Sequence, residues 1–200
     1  MARRPDFNQA VRNLLEHVAK AMPEFAHLKP KRVMVVAGEA RRASHATVKP
    51  LAFEGMKRTD EWGRKKPLVK LHGKRMLYCI TLRPLFFRNS SPHARITTVL
   101  HELFHIAKSF DGTLEERRRH SKMGKRFAPA FEPLVKRYLK LLPDEVLAPF
   151  AYDGEVRIAH WLERPSAWLP KGKRYRGVYT EAYLFEGVVR MRIWTGKVLH

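Results

Sequence analysis

The sequence predicts an α+β fold in which a mixed β-sheet packs on one central helix, with a β-rich portion at the C-terminal end. Three observations carry this. The stretches KRVMVVAGEA (31–40) and RMLYCITLRPLF (75–86) hold short apolar runs rich in β-branched residues, the pattern of buried strands. Residues 6–21 and the stretch after Ser91 instead space their apolar residues three and four apart, as helices do. Beyond about residue 150, the runs VRIAHWL (156–162), RYRGVYTEAYLF (174–185) and VVRMRIW (188–194) are separated by Pro and Gly, as strands joined by turns would be. Two hundred residues, 44% of them hydrophobic, are enough for one real core. The organisation expected is a main domain over 1–148 and a basic, β-rich C-terminal portion over 149–200 packed on it.

Each element has a local reason. In the first helix Phe7, Ala10, Val11, Leu14, Leu15 and Val18 line one face, and Pro23 follows its end. Gly38 closes the first strand, and residues 39–75 read as basic and turn-rich. The second strand is interrupted or ended near Pro84. In the central helix Ser91 is placed to cap and Pro92 suits the first position, where its missing N–H costs nothing. Ile96, Val99, Leu100, Leu103 and Phe104 follow, and Gly112 is the expected stop. Residues 125–142 form another amphipathic helix, perturbed early by Pro129 and Pro133 and ended by Pro143.

The charge balance is unusual. Forty Lys and Arg against nineteen Asp and Glu give a net charge of +21. Such an excess attracts polyanions, nucleic acid first among them. One cysteine, Cys79, excludes an intramolecular disulfide and any cysteine-cluster metal site, and its apolar setting makes it a buried strand residue. The N-terminus lacks the continuous apolar stretch of a signal peptide, and no run approaches the ~18 apolar residues of a membrane span. A cytoplasmic, non-membrane protein is expected.

The central helix carries His101, Glu102 and His105 in an H-E-x-x-H pattern. Residues four apart share a helix face, so both imidazoles can reach one ion. Glu102 lies beside that face and can reach a metal-activated water, which is the arrangement for hydrolysing a peptide bond. Two histidines need a third ligand. Asp111 lies six residues after His105, where one such pattern carries its last ligand; Glu132 is a carboxylate on the next helix; His120 lies beyond a loop that can fold back.

A strand, this helix, a loop and a third histidine at this interval resemble the SprT-like zinc metallopeptidases, the group that includes Spartan. The resemblance covers roughly residues 75–142. The family opens its next helix with His-Gly and an aromatic a few residues later. Here the stretch is HSKMGKRF (120–127), with Ser121 in the glycine position and Gly124 and Phe127 further on. The resemblance implies a zincin-like fold, Zn2+ held by His101, His105 and His120, and Glu102 as general base. It also implies a protein or peptide substrate near DNA. The cysteine ribbon that follows the catalytic domain in many relatives cannot form with one cysteine.

Tyr138, Tyr152, Tyr175, Tyr179 and Tyr183 could each stabilise an oxyanion, although packing suits each as well. His160 and Trp161 fit a partly buried strand, and Met123 falls in a charged loop. Two basic stretches, one around Trp62 and one around Tyr175, suit phosphate contacts with a stacking aromatic. The arginines at 117–119 add positive charge immediately before His120. The alternative to a peptidase is a basic nucleic-acid-binding protein whose zinc is structural or vestigial.

Overall fold

A computed structural model describes residues 4–38, 44–162, 178–181 and 184–193. Helix α1 (Phe7–Ala21) starts at Asp6, whose Oδ1 accepts from the Gln9 N–H at 3.0 Å. That cap satisfies one of the helix's orphan donors. The six apolar residues expected to share a face are all buried. Strand β1 (Val33–Gly38) follows, then β2 (Ala46–Pro50), β3 (Leu68–Leu71), β4 (Lys74–Arg75) and β5 (Tyr78–Leu82). Helices α2 (Pro84–Arg88), α3 (Pro92–Phe104), α4 (His120–Met123), α5 (Phe127–Leu141) and α6 (Asp144–Leu147) come next. Strands β6 (Gly154–Leu162), β7 (Val178–Tyr179) and β8 (Phe185–Met191) complete the order. The result is a mixed α+β fold.

Two sheets form. The larger runs β2-β5-β1-β6-β8, and the smaller runs β4-β3-β7. In the larger sheet β1 is parallel to both β5 and β6, while β2 and β8 pair antiparallel at the edges. Because β1 is covered on both faces, all six of its residues are buried. Val33, Val35 and Ala37 point into the large core beneath α1, α3 and α5. Met34 and Val36 point the other way, into a small cluster with Leu51, Val69, Leu71, Met76 and Cys79. Each fully buried aliphatic side chain of this kind contributes about 1.5–3 kcal/mol. No helix among the described residues is long and apolar enough to cross a membrane.

Two expectations need correction and a third needs completing. The described part of the 39–75 region holds three strands, β2, β3 and β4, that its charge and turn residues concealed. The strand expected to end near Pro84 does end there, at Leu82, and what the sequence did not reveal is that Pro84 begins α2, because a fixed φ and a missing N–H suit a first helical turn. Helix α3 stops at Phe104 rather than running on toward Gly112. There the chain turns tightly, with the Ile106 N–H donating to Leu103 O at 3.0 Å and Ile106 bridging to Leu114.

Arg95, in the first turns of α3, is fully buried. Its guanidinium donates to four backbone carbonyls, those of Phe86 (3.0 Å), Phe87 (2.9 Å), Phe150 (2.6 Å) and Arg192 (2.5 Å). One side chain thereby ties α3 to α2, to the turn before β6 and to the chain after β8. The rings of Phe7, Phe86, Phe87 and Phe150 pack edge to face around it at 5.2–5.9 Å.

Candidate metal centre

Helix α3 sets the orientation of two histidines. Ser91 Oγ caps it, accepting from the Ala94 N–H at 3.2 Å, and Pro92 holds the first position. Ile96, Val99, Leu100 and Leu103 bury one side in the core, and the helix lies against edge strand β2. His101 and His105 then emerge together at its C-terminal end, half-buried.

The third histidine arrives from the far side of a loop. Arg118 fixes that loop: its Nη1 donates to Phe104 O at 3.0 Å and its guanidinium lies 4.4 Å over the Phe104 ring. His120 opens α4 two residues later. Gly124, with φ +50° and ψ −127°, then breaks the chain between α4 and α5, a conformation that side chains with a Cβ rarely adopt.

Three Nε2 atoms converge. His101 Nε2 lies 2.9 Å from His120 Nε2 and 3.2 Å from His105 Nε2, and all three fall within 4.8 Å of one another. Burial, reinforced by the two neighbouring rings, pushes His101 down to about 4, so its imidazole stays neutral. His105 is lowered as well, chiefly by burial and then by His120. The Arg118 backbone beside the ring opposes that lowering. His105 Nε2 is turned toward His101 Nε2, 3.2 Å away.

Phe127, at the start of α5, packs against all three imidazoles, its centroid 4.9, 5.6 and 4.2 Å from those of His101, His105 and His120. Phe131 adds a contact to His101 at 5.4 Å. The sequence marks Phe127 only as an aromatic after His120. Its contact with three rings depends on the tertiary return of α5, which no local pattern encodes.

Glu102 occupies the buried side of α3, 7% exposed. Burial pushes its carboxyl up to about 7, while the nearby Val48 backbone of β2 and the Arg83 charge pull it partly back. Such a group changes protonation near neutral pH, as a proton carrier must.

The other two candidate ligands lie elsewhere. Asp111 is engaged in its own loop, accepting from the Thr113 N–H at 3.1 Å, the Thr113 hydroxyl at 2.7 Å and the Gly55 N–H at 3.2 Å. Glu132 is exposed on α5 and outside the histidine cluster. Asp111 instead anchors the loop that follows α3. At Gly112 φ is +93°, and a Cβ there would sit 2.4 Å from that of Ala52. Gly112→Ala is therefore expected to cost about 2–3 kcal/mol, from overpacking and positive-φ strain together. Urea unfolding checks this, and a loss under 0.5 kcal/mol would show that the loop is not seated as described.

Among the tyrosines, Tyr138 is buried and bonds His17 Nδ1 at 2.9 Å, Tyr152 is exposed, and Tyr179 belongs to β7. Tyr175 and Tyr183, with most of the basic stretch around them, lie outside the described residues. Met123 packs partly buried against the core. Trp62 is 72% exposed with the Arg64 guanidinium 4.8 Å over its ring. Arg117, Arg119, Lys122, Lys125 and Arg126 are all exposed along the segment that presents His120.

A family described as "Putative phage metallopeptidase" matches residues 6–146 of the chain. No curated protein and no solved structure shows a significant match.

Proposed function

Because the chain belongs to this phage metallopeptidase family, we propose that it hydrolyses peptide bonds with a zinc ion held by His101, His105 and His120 and with Glu102 as general base. The convergence of the three Nε2 atoms carries this reading. Ligands about 2.0–2.1 Å from a tetrahedral zinc stand roughly 3.3 Å apart. The 2.9 and 3.2 Å separations are close to that spacing. Neutral imidazoles also cannot all satisfy one another, since each such contact needs a donor. An all-nitrogen set suits zinc better than a hard cation such as calcium or magnesium. The same four residues support a SprT-like, zincin-like site.

A bound zinc would supply the Lewis acidity that makes water a nucleophile near neutral pH. The chain's own residues do the rest. Glu102 takes the proton of the attacking water on a carboxylate oxygen and returns it to the leaving amine nitrogen. Burial that brings its affinity for protons to about 7 suits both directions of that transfer. Phe127 and Phe131 hold the imidazole planes and keep water off their inner faces.

The expected metal content is about one zinc per chain. His105→Ala is expected to lose it, and a chelator to abolish cleavage of an unfolded protein substrate until zinc is restored. Protein that folds and never retains zinc would sink the reading. Zinc retained without cleavage of any protein would favour a basic nucleic-acid-binding protein with a structural ion. Proteins bound to DNA are the substrate class we favour, because +21 net charge and the exposed cations before and after His120 attract polyanions. DNA affinity that does not fall with rising salt would remove this part.

A further inference from the structure

Strand β1 is paired unequally along its two edges. On one side Val33 to Ala37 face Tyr78 to Leu82 of β5. On the other, only Ala37 and Gly38 meet β6, opposite Trp161 and Leu162. Before that point the two parallel strands part, and Asn8 of α1 stands in for the missing ladder. Its Nδ2 donates to Val35 O at 2.8 Å and its Oδ1 accepts from the Ala159 N–H at 2.8 Å. The His160 ring turns to the same carbonyl, with Nδ1 3.3 Å from Val35 O. A buried backbone acceptor is satisfied, but the gap is not filled.

The gap opens into a cavity of about 170 Å3 bounded by α1 on one side and the β3–β4 hairpin on the other. Arg12, Lys31 and Lys74 line it, from α1, from the Pro30–Arg32 turn and from β4, together with His72. Among the described residues, no carboxylate lines it. Glu181 reaches only the rim, its Oε2 accepting from the His72 N–H at 3.3 Å and its Oε1 3.9 Å from the His72 ring. Asp6, which acts on His160, is already paired with Arg157 at 2.6 Å. None of the three lining cations forms an ion pair among the described residues.

A second observation points the same way. Arg32 and Arg75, the chain neighbours of Lys31 and Lys74, gather with Arg58. Burial lowers the affinity of Arg75 for its proton, and Arg58 and Arg32 lower it further. Arg58 Nε and Arg75 Nη2 are buried without a hydrogen-bond partner among the described residues. Folding therefore collects like charges on one surface and leaves guanidinium donors unused, which costs free energy unless an anion answers them.

We propose that this cavity is a phosphate-binding site. Arg12, Lys31 and Lys74 hold a phosphate ester, and the apolar wall of Met34, Leu71 and Met76 receives the uncharged part of the ligand. Three cations supplied by three separate elements suit a ligand with more than one phosphate, either a single nucleic-acid strand or a polyphosphorylated nucleotide. The site shares no residue with the histidine centre and does not depend on the peptidase reading.

Calorimetry on the full chain in low salt tests it with three probes: inorganic pyrophosphate, adenosine triphosphate and a short single-stranded oligothymidylate. Pyrophosphate is expected to bind, and Arg12→Gln with Lys74→Gln to weaken it by about tenfold or more, as the loss of two charge-assisted contacts requires. Lys136→Gln with Lys140→Gln, exposed on α5, should leave pyrophosphate binding within about twofold. Oligothymidylate binding the cavity more tightly than the nucleotide assigns it to nucleic acid, and the reverse order to nucleotides. A measurement on the unaltered protein guards against misfolded variants. Pyrophosphate should slow acetylation of Lys31 and Lys74 and leave exposed Lys136 unaffected. Pyrophosphate that does not bind, binds the double variant as it binds the wild type, or protects neither lysine overturns the proposal.

Discussion

Glu102→Gln is expected to lower peptide hydrolysis by about 10²–10⁴-fold while leaving zinc content unchanged. Glutamine keeps the shape of the side chain and one acceptor oxygen, but it cannot carry a proton. Stability should separate the two roles of the residue. In the metal-free protein the folded Glu102 holds its proton up to about pH 7, against an ordinary 4.5. Between those values the folded state binds more protons than the unfolded one, so this group's contribution to stability falls as pH rises through that window. The Gln variant lacks that fall and should be at least as stable as the wild type at pH 8. kcat/KM on a protein substrate, metal analysis and thermal unfolding make the three measurements. Cleavage at the wild-type rate would place the base elsewhere.

Arg95→Met is expected to cost on the order of 4 kcal/mol, the largest stability loss anticipated for any single residue. Methionine fills much of the volume but donates nothing, so the carbonyls of Phe86, Phe87, Phe150 and Arg192 lose their shared partner within a ring of aromatics. Each stranded acceptor costs about 1–3 kcal/mol before relaxation. Arg95→Lys should recover only part of this, because one ammonium cannot span four carbonyls set around a planar fork. The urea midpoint at constant m checks both. A loss below about 1 kcal/mol for Arg95→Met would mean that the four bonds return no more than the desolvation of the cation consumes.

The sequence made some of this legible and concealed the rest for identifiable reasons. α1 and β1 follow from local periodicity, because one packs a single face and the other is buried on both. β2 was invisible: Ala46–Pro50 is an edge strand of mixed polarity with only Ala46 buried, and a basic stretch surrounds it. Pro84 marked the end of the strand, but the short apolar run after it carried too few turns to reveal a helix. His101 and His105 share a helix turn, so their proximity could be read from spacing. His120 could not be placed that way, since its approach depends on Arg118 gripping Phe104 and on Gly124 turning the chain. Asp111 shows the converse, being near in sequence but consumed by its own turn.

The two faces of the larger sheet are held very unequally. Among the described residues, the helical side rests on an extensive core that includes Phe104, Phe127 and Phe131, whereas the β4-β3-β7 side rests on a cluster of seven buried residues. Regions with few buried contacts open sub-globally well before the whole domain unfolds. Amide hydrogens of β3 and β4 should thus exchange ahead of those in α3 and α5. The histidine cluster, rooted in the heavier layer, would stay assembled through such excursions.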